Sequence, residues 1–238
     1  MLGEQIDHAN VGPSGIQGDR GWAVVDADSG VSLSAKRYPD LLRCRAWTSD
    51  GEVMVKLPDS RELPVGSDDV ERGLSDLLGR QVTTRSAEAT ETIQHEFPTA
   101  VTEGEGGPFL YEPKTEAFFD CATLQLLTTG TLKELQRLLP ASIVHRARFR
   151  PNFLVETDEI GFIDNDWVNR DVTLGSLSCQ VYDHTRRCIM VALAQGDLPR
   201  DTEVIRMILK SNDGRSGVAL KTLDSGMLRC GAKVEVLN

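Results

Sequence analysis

The sequence has no surplus of positive charge, no long apolar run and no paired cysteines, and each absence removes a class of function. Acidic residues outnumber basic ones 36 to 26, leaving a formal net charge of -10, which disfavours general attraction to DNA, RNA or anionic lipid. Neither a nucleic-acid partner nor a membrane partner is expected. No stretch approaches the roughly 18 apolar residues of a membrane span. The opening MLGEQIDHAN has neither the apolar core of a signal peptide nor the basic, acid-poor character of a transit peptide. The chain therefore reads as cytoplasmic. Its five cysteines, at 44, 121, 179, 188 and 230, include no C-x-x-C pair, so neither a disulfide scaffold nor a zinc site is indicated. With no G-x-G-x-x-G unit and no C-x4-C-x2-C spacing, the chain offers no flavin, dinucleotide or iron–sulfur site of its own.

What is present is a succession of short strands. The stretch WAVVDADSGVSLSA (22–35) reads as two strands around a bend at Asp28-Ser29-Gly30, and 44–65 repeats the pattern with Asp50-Gly51 at its bend. Val70, Leu74, Leu77 and Leu78 recur at helical spacing behind a Ser/Asp start, predicting a short amphipathic helix over 67–80. The polar stretches 83–96 and 102–108 read as loop or linker, which places a domain boundary there and divides the 238 residues into domains 1–85 and 86–238. A buried strand near 123–128 then leads to a helix with Thr131 as its cap, Glu134 closing a capping box and Pro140 beyond its end. Further strands are predicted at 152–157, 171–183, 217–224 and 233–238, and a helix at 201–210 with Asp201 as N-cap. Many short strands with few helices, and no alternation of strand and helix, predict a mainly β (α+β) protein built on a barrel or twisted sheet.

Two fragments carry chemistry. In RARFRPNFLVE (146–156), Arg150 and Asn152 flank a proline that sets the local backbone, an arrangement suited to an anionic ligand rich in hydrogen-bonding groups. Arginines two apart on a strand are usually a solvated face. In DHTRRCIM (183–190), Cys188 follows Arg186 and Arg187, with His184 close by. A free cysteine is commonly a small buried hydrophobe, whereas a cationic setting favours the thiolate, which attacks electrophiles or ligates soft metals. The other four cysteines lie among apolar residues or apparent strands and read as packing. Lys36 and Arg37, in SAKRYP (34–39), form by themselves only a basic turn.

Taken in order, GPSGIQGDRGWAVVDADSGVSLSAKRYPDLLR (12–43), FFDCATLQLLTTGTLKELQRLLP (118–140), RFRPNFLVE (148–156), DWVNRDVTLGSLSCQVYDHTRRC (166–188) and SGMLRCGAKVEVL (225–237) resemble the MOSC family, the molybdenum cofactor sulfurase C-terminal domain. That family includes the mitochondrial amidoxime reducing component and its bacterial relatives. The resemblance covers nearly the whole chain and implies an N-terminal β-barrel-like domain followed by a MOSC β-barrel with a few peripheral helices. It also implies a molybdenum cofactor, the metal held by a pyranopterin dithiolene and by Cys188 as both metal ligand and catalytic residue. Lys36, Thr128, Thr129, Arg150, Asn152, Thr185 and Arg186 match positions that contact the cofactor, and the start of the helix beside Thr129 would add N–H donors for its phosphate. The implied activity is reduction of a small N-hydroxylated compound, with electrons from a separate electron-transfer protein. Members of the family usually carry a strand ending in Tyr-Pro-Val-Lys-Ser just before the point where this chain joins the pattern. Without it, an exposed strand edge would favour a homodimer or weaken cofactor retention.

An alternative reading is a non-catalytic carrier of the molybdenum cofactor or of cysteine-bound sulfur. A third is a thiol-dependent enzyme with Cys188 as nucleophile and His184 as base. His145 and His184 are the candidates for proton delivery, and Trp167 either lines the entrance or packs beneath it.

Overall fold

In the computed structural model, residues 1–88, 117–119 and 122–237 are described in full, and 94–97 and 109–111 as backbone. The acidic 102–108 stretch and Cys121 lie outside the described residues. The chain forms two units. The first comprises Met1–Gln5, Arg20–Asp120 and Ala194–Asp197, and the second Ile6–Asp19, Cys121–Leu193 and Leu198–Asn238.

The first unit carries both predicted hairpins. Trp22–Asp26 and Val31–Ser32 pair antiparallel with Val25 opposite Ser32. Asp26 holds the bend by accepting from the backbone N–H of Ser29 at 2.9 Å and from its hydroxyl at 2.7 Å. Arg45–Ser49, Glu52–Lys56 and Glu62–Pro64 form a separate three-stranded sheet. Helix α1 spans Asp68–Leu78, where its apolar spacing put it. Ser67 caps it by accepting from Val70 N, and Gly79 ends it at a φ of +65°. Val70 and Leu74 bury against Val24, Leu41, Val55, Leu57 and Val82.

The reading of 83–96 as loop is corrected. Val82–Ser86 is a strand paired along its length with Trp22–Asp26, and Gln94–Phe97 is another. Polarity misled because Thr84 faces inward, its N–H and hydroxyl both donating to Glu71 Oε1 at 2.6 and 3.0 Å. A paired β-branched threonine serves a strand as well as a valine does.

The second unit is built on a six-stranded sheet in the spatial order Phe153–Val155, Leu124–Thr128, Arg215–Thr222, Leu177–Arg186, Asp171–Leu174 and Val234–Val236. The first two run parallel and the remaining neighbours antiparallel. One face buries Leu124, Leu126, Val172, Leu174, Val181, Val218 and Leu220. On the other side, Leu127 packs with Leu135 of α2 (Thr129–Leu138) and with Val204 and Ile208 of α3 (Thr202–Asn212). Leu124–Thr128 is thus buried on both faces, which accounts for its nearly unbroken apolar run. Gly226–Arg229, His8–Gly12 and Gly15–Ile16 form a small sheet of their own. The architecture is mainly β, with three α-helices among the described residues.

Two local expectations fail for identifiable reasons. Thr128, not Thr131, caps α2. The Thr128 hydroxyl accepts from Thr131 N at 3.1 Å, while the Thr131 hydroxyl is drawn to the Asp164 carboxylate at 2.9 Å, and Glu134 pairs with Arg137 instead of closing a box. Arg146–Arg148 is a 3-10 turn, not a strand, so the solvated-face reading fails for Arg148, which is only 1% exposed.

The strand that leads to Cys188, Leu177–Arg186, and its neighbour Arg215–Thr222 slip in register. His184 lies opposite Val218 but Arg186 lies opposite Arg215, two steps against three. Gly217 occupies the irregularity at a φ of +82°, where a Cβ would come within 2.6 Å of Leu126 O and 3.1 Å of Arg187 Nη2. Gly217→Ala is therefore expected to cost about 2–4 kcal/mol from combined strain and overlap. The check is thermal unfolding, with the midpoint lowered by about 5–15 °C.

Candidate functional site

Cys188 follows the long strand Leu177–Arg186 and opens the short turn Ile189–Ala192. Alternation along the strand end divides the three residues before it. Thr185 and Arg187 point inward, while the Arg186 side chain is 71% exposed and lies 3.8 Å from Asp213. The cation fixed beside the cysteine is thus Arg187.

The Arg187 guanidinium is buried, and two of its three nitrogens are directed at acceptors. Nε donates to Ser216 O at 2.7 Å, and Nη1 donates to Phe149 O at 2.8 Å and to Gln125 Oε1 at 3.3 Å. Its plane lies over the Phe149 ring at 5.4 Å. Burial pushes its pKa down to about 10, opposed by the charges of Cys188 and Asp164. It remains cationic at neutral pH. Gln125 carries the network onward, because Asn152 Oδ1 accepts from Gln125 N at 2.9 Å and Asn152 Nδ2 donates to Asp19 Oδ2 at 2.8 Å. Residues 19, 125, 149, 152 and 187, far apart in sequence, are thereby joined through one buried cation.

Arg150 stands between Phe149 and Asn152, half-buried, with a φ of +52°. A non-glycine residue in the left-handed region directly before proline is strained, and such strain persists where the surroundings hold it. The Asn152 amide is already engaged by Gln125 and Asp19, so its role here is to anchor the 149–152 corner.

Thr128 and Thr129 sit at the strand-to-helix corner as expected, with different surroundings. Thr128 is wholly buried, its hydroxyl and N–H both directed at Asp164 Oδ2. Thr129 borders a cleft of about 400 Å³ that is also lined by Lys133, Glu156, Thr157 and Asp158. The start of α2 is not an open row of donors, since Gly130 N donates to Thr157 Oγ1 at 3.0 Å and Thr131 N to Thr128 Oγ1. Lys36 is a half-buried turn residue of the first unit.

Asp164, Gln125 and Arg148 build this region without having been singled out as site residues by sequence. Asp164 is fully buried, and desolvation raises its pKa above the ordinary 3.8 despite bonds from Thr131 and Thr128 and the nearby Arg187 charge. The signal for Gln125 was an amide inside the run LQLL. His145 is exposed and accepts from Ala147 N, and Trp167 is partly buried against the sheet core. Cys44 and Cys179 are buried as packing residues, whereas Cys230 is exposed.

Several buried polar atoms in this region have no partner among the described residues. They are Thr185 Oγ1, Arg187 Nη2, Ser216 Oγ, Asp164 Oδ1 and His184 Nδ1. Buried donors and acceptors are normally satisfied, and Thr185 Oγ1 and Arg187 Nη2, on two of the three residues before the free, half-buried thiol, are donors with capacity left for an anionic group. Among the described residues, no cluster of three or more His, Cys, Asp and Glu side chains could hold a metal ion.

Sequence comparison gives the family. The MOSC domain matches residues 113–235, and the MOSC N-terminal beta barrel domain matches residues 1–102. The chain belongs to the MOSC family, whose domains are associated with molybdenum-cofactor binding. No curated protein matches the chain. Among solved structures, the crystal structure of YiiM from Geobacillus stearothermophilus is similar over 49% of this chain and 55% of its own, at 13% identity and a TM-score of 0.37. The match thus spans about half the length of that structure.

The Asp164 carboxyl makes a prediction with a definite sign. Its folded pKa is raised, so the stability it contributes is full below about 3.8 and is lost as pH rises through the folded value. Removing the titration with Asp164→Asn should make the variant's melting temperature, relative to wild type, shift upward between pH 4.5 and 7.5. Paired melts of cofactor-free protein across that range measure it.

Proposed function

We propose that this protein binds the molybdenum cofactor and uses it to reduce small N-hydroxylated compounds, with Cys188 as the protein ligand to the metal. The observation that carries the reading is the free thiol placed directly after a buried arginine whose remaining N–H edge, Nη2, has no partner, beside the orphaned hydroxyls of Thr185 and Ser216.

The cofactor, when bound, supplies two-electron cleavage of an N–O bond, giving the reduced nitrogen compound and water with two protons consumed. The chain's own part is electrostatic and positional. Arg187, held by two carbonyls and Gln125, fixes a buried positive charge at the residue directly before Cys188. Thr185 Oγ1 and Arg187 Nη2 are donors with hydrogen-bonding capacity left over for an anionic group. Arg150 and Thr129 are the side chains we assign to the pterin and its phosphate. Asn152 supports them by fixing the 149–152 corner, and Arg186 adds charge from the solvent side. His184, with a buried and unpartnered Nδ1, is the nearest candidate in sequence for proton transfer. Electrons come from a separate electron-transfer protein.

A carrier that binds the cofactor without turnover is the second reading. It is favoured by the closed start of α2, where the threonine hydroxyls already occupy Gly130 N and Thr131 N. The two readings separate by assay. Both require near-stoichiometric molybdenum and pterin on protein made in a host that synthesises the cofactor, and only the first requires turnover of an amidoxime with a suitable electron donor.

Two substitutions test the site. Cys188→Ser is expected to lower molybdenum content at least about tenfold, since a thiolate ligand is lost, while Cys230→Ser, at an exposed thiol, leaves it unchanged. Metal content equal to wild type in Cys188→Ser would rule out the assigned ligand. Arg150→Gly places glycine where φ is +52°, so stability should stay within about 1 kcal/mol of wild type while cofactor content falls. Metal analysis with thermal melts reads both effects.

A further inference from the structure

We propose that Arg148 is a positioning residue for Cys188, holding the segment that follows the cysteine through its carbonyl oxygens. The proposal concerns the setting of the thiol and holds whichever reading of the bound group is correct.

Arg148 is 1% exposed, yet its hydrogen bonds go to four backbone carbonyls and, among the described residues, to no acidic side chain. Nε donates to Ile143 O at 2.9 Å, Nη1 to Val191 O and Leu193 O at 3.3 Å each, and Nη2 to Pro199 O at 2.8 Å. Three of these acceptors belong to the chain just after Cys188, on either side of residues 194–197. The link to the cysteine is short. Val191 N donates to Cys188 O at 3.3 Å, and the carbonyl of the same residue accepts from Arg148. On the other side of Cys188, Arg187 N is held by Gly214 O and its guanidinium by Phe149 O, the carbonyl next in sequence to Arg148. The cysteine is therefore suspended between two buried arginines that converge on the 148–149 corner.

A planar fork of donors meeting several carbonyls in fixed directions is something lysine cannot reproduce. A buried cation is costly to retain for packing alone, and burial does depress the pKa of Arg148, offset by Asp201. Its partners in a turn beginning at Cys188 give that cost a positional outcome. The Ile189–Ala192 turn is too short to be stable unsupported, and without Arg148 it would open locally.

The test uses cofactor-free full-length protein, iodoacetamide and site-resolved mass spectrometry, comparing wild type with Arg148→Met and Arg148→Lys. Expected is a rise of roughly fivefold in the Cys188 alkylation rate in both variants as the turn opens. Cys44 and Cys179, both buried, should stay protected, and exposed Cys230 should react as in wild type. An unchanged Cys188 rate in folded Arg148→Met overturns the proposal. So does wild-type behaviour in Arg148→Lys, which would mean that charge alone suffices, and so does parallel exposure of Cys179, which would mean general unfolding. If Arg148→Met does not fold, hydrogen exchange on Arg148→Lys decides. Loss of protection confined to 188–193 with α3 intact supports the clamp, and wild-type protection there overturns it.

Discussion

The second unit depends on a buried guanidinium. Arg187 is charged, almost inaccessible and held by the carbonyls of Ser216 and Phe149 together with the Gln125 amide. Removing such a group's partners would leave an uncompensated buried charge, at a cost of about 3–5 kcal/mol. Every segment that supplies a partner is therefore obliged to keep its place. This explains why the sheet tolerates a register slip beside Val218 and why Gly217, whose missing side chain leaves room for Nη2, sits at that slip. It also links segments distant in sequence, since Gln125 and Asn152 continue the same chain of bonds to Asp19.

The same arrangement explains the division of labour among the basic residues. Arg148 and Arg187 face inward and spend their hydrogen bonds on carbonyls, whereas Arg186 meets solvent and a distant carboxylate. Solvent screens the buried charge of Arg187 far less than the exposed charge of Arg186. Asp164 complements this, a buried carboxyl at the start of α2 that accepts from the Thr128 and Thr131 hydroxyls. Its free Oδ1 and the free Nη2 of Arg187 leave polar capacity inside the unit that the protein's described side chains do not use.

Much of the local structure was legible from residue order. Apolar spacing located α1, turn residues located both early hairpins, the helix placed at 201–210 behind Asp201 is α3, and the buried strand near 123–128 is Leu124–Thr128. Misreadings arose where side chains answered to partners far away. Thr131 lost its expected capping role because Asp164, 33 positions later, takes its hydroxyl. The start of the polar stretch 83–96 became part of a strand because Trp22–Asp26 offered a ladder and Glu71 satisfied Thr84. The pairing of His8–Gly12 with Gly226–Arg229 joins opposite ends of the chain, and no local pattern announces it.

For the site, the sequence by itself determined the residue types: a thiol behind two arginines, an arginine and asparagine flanking a proline, and the ordered motifs of the MOSC family. Only the tertiary structure decided which of those residues turn inward. Strand alternation, interrupted by a bulge, buries Thr185 and Arg187 and leaves Arg186 outside. Closing the 148–152 corner commits Arg148 and Asn152 to backbone and to Asp19. The reason is physical: a charge or amide taken out of water must find its partners, and those are supplied by whichever backbone the fold brings alongside, not by neighbours in sequence.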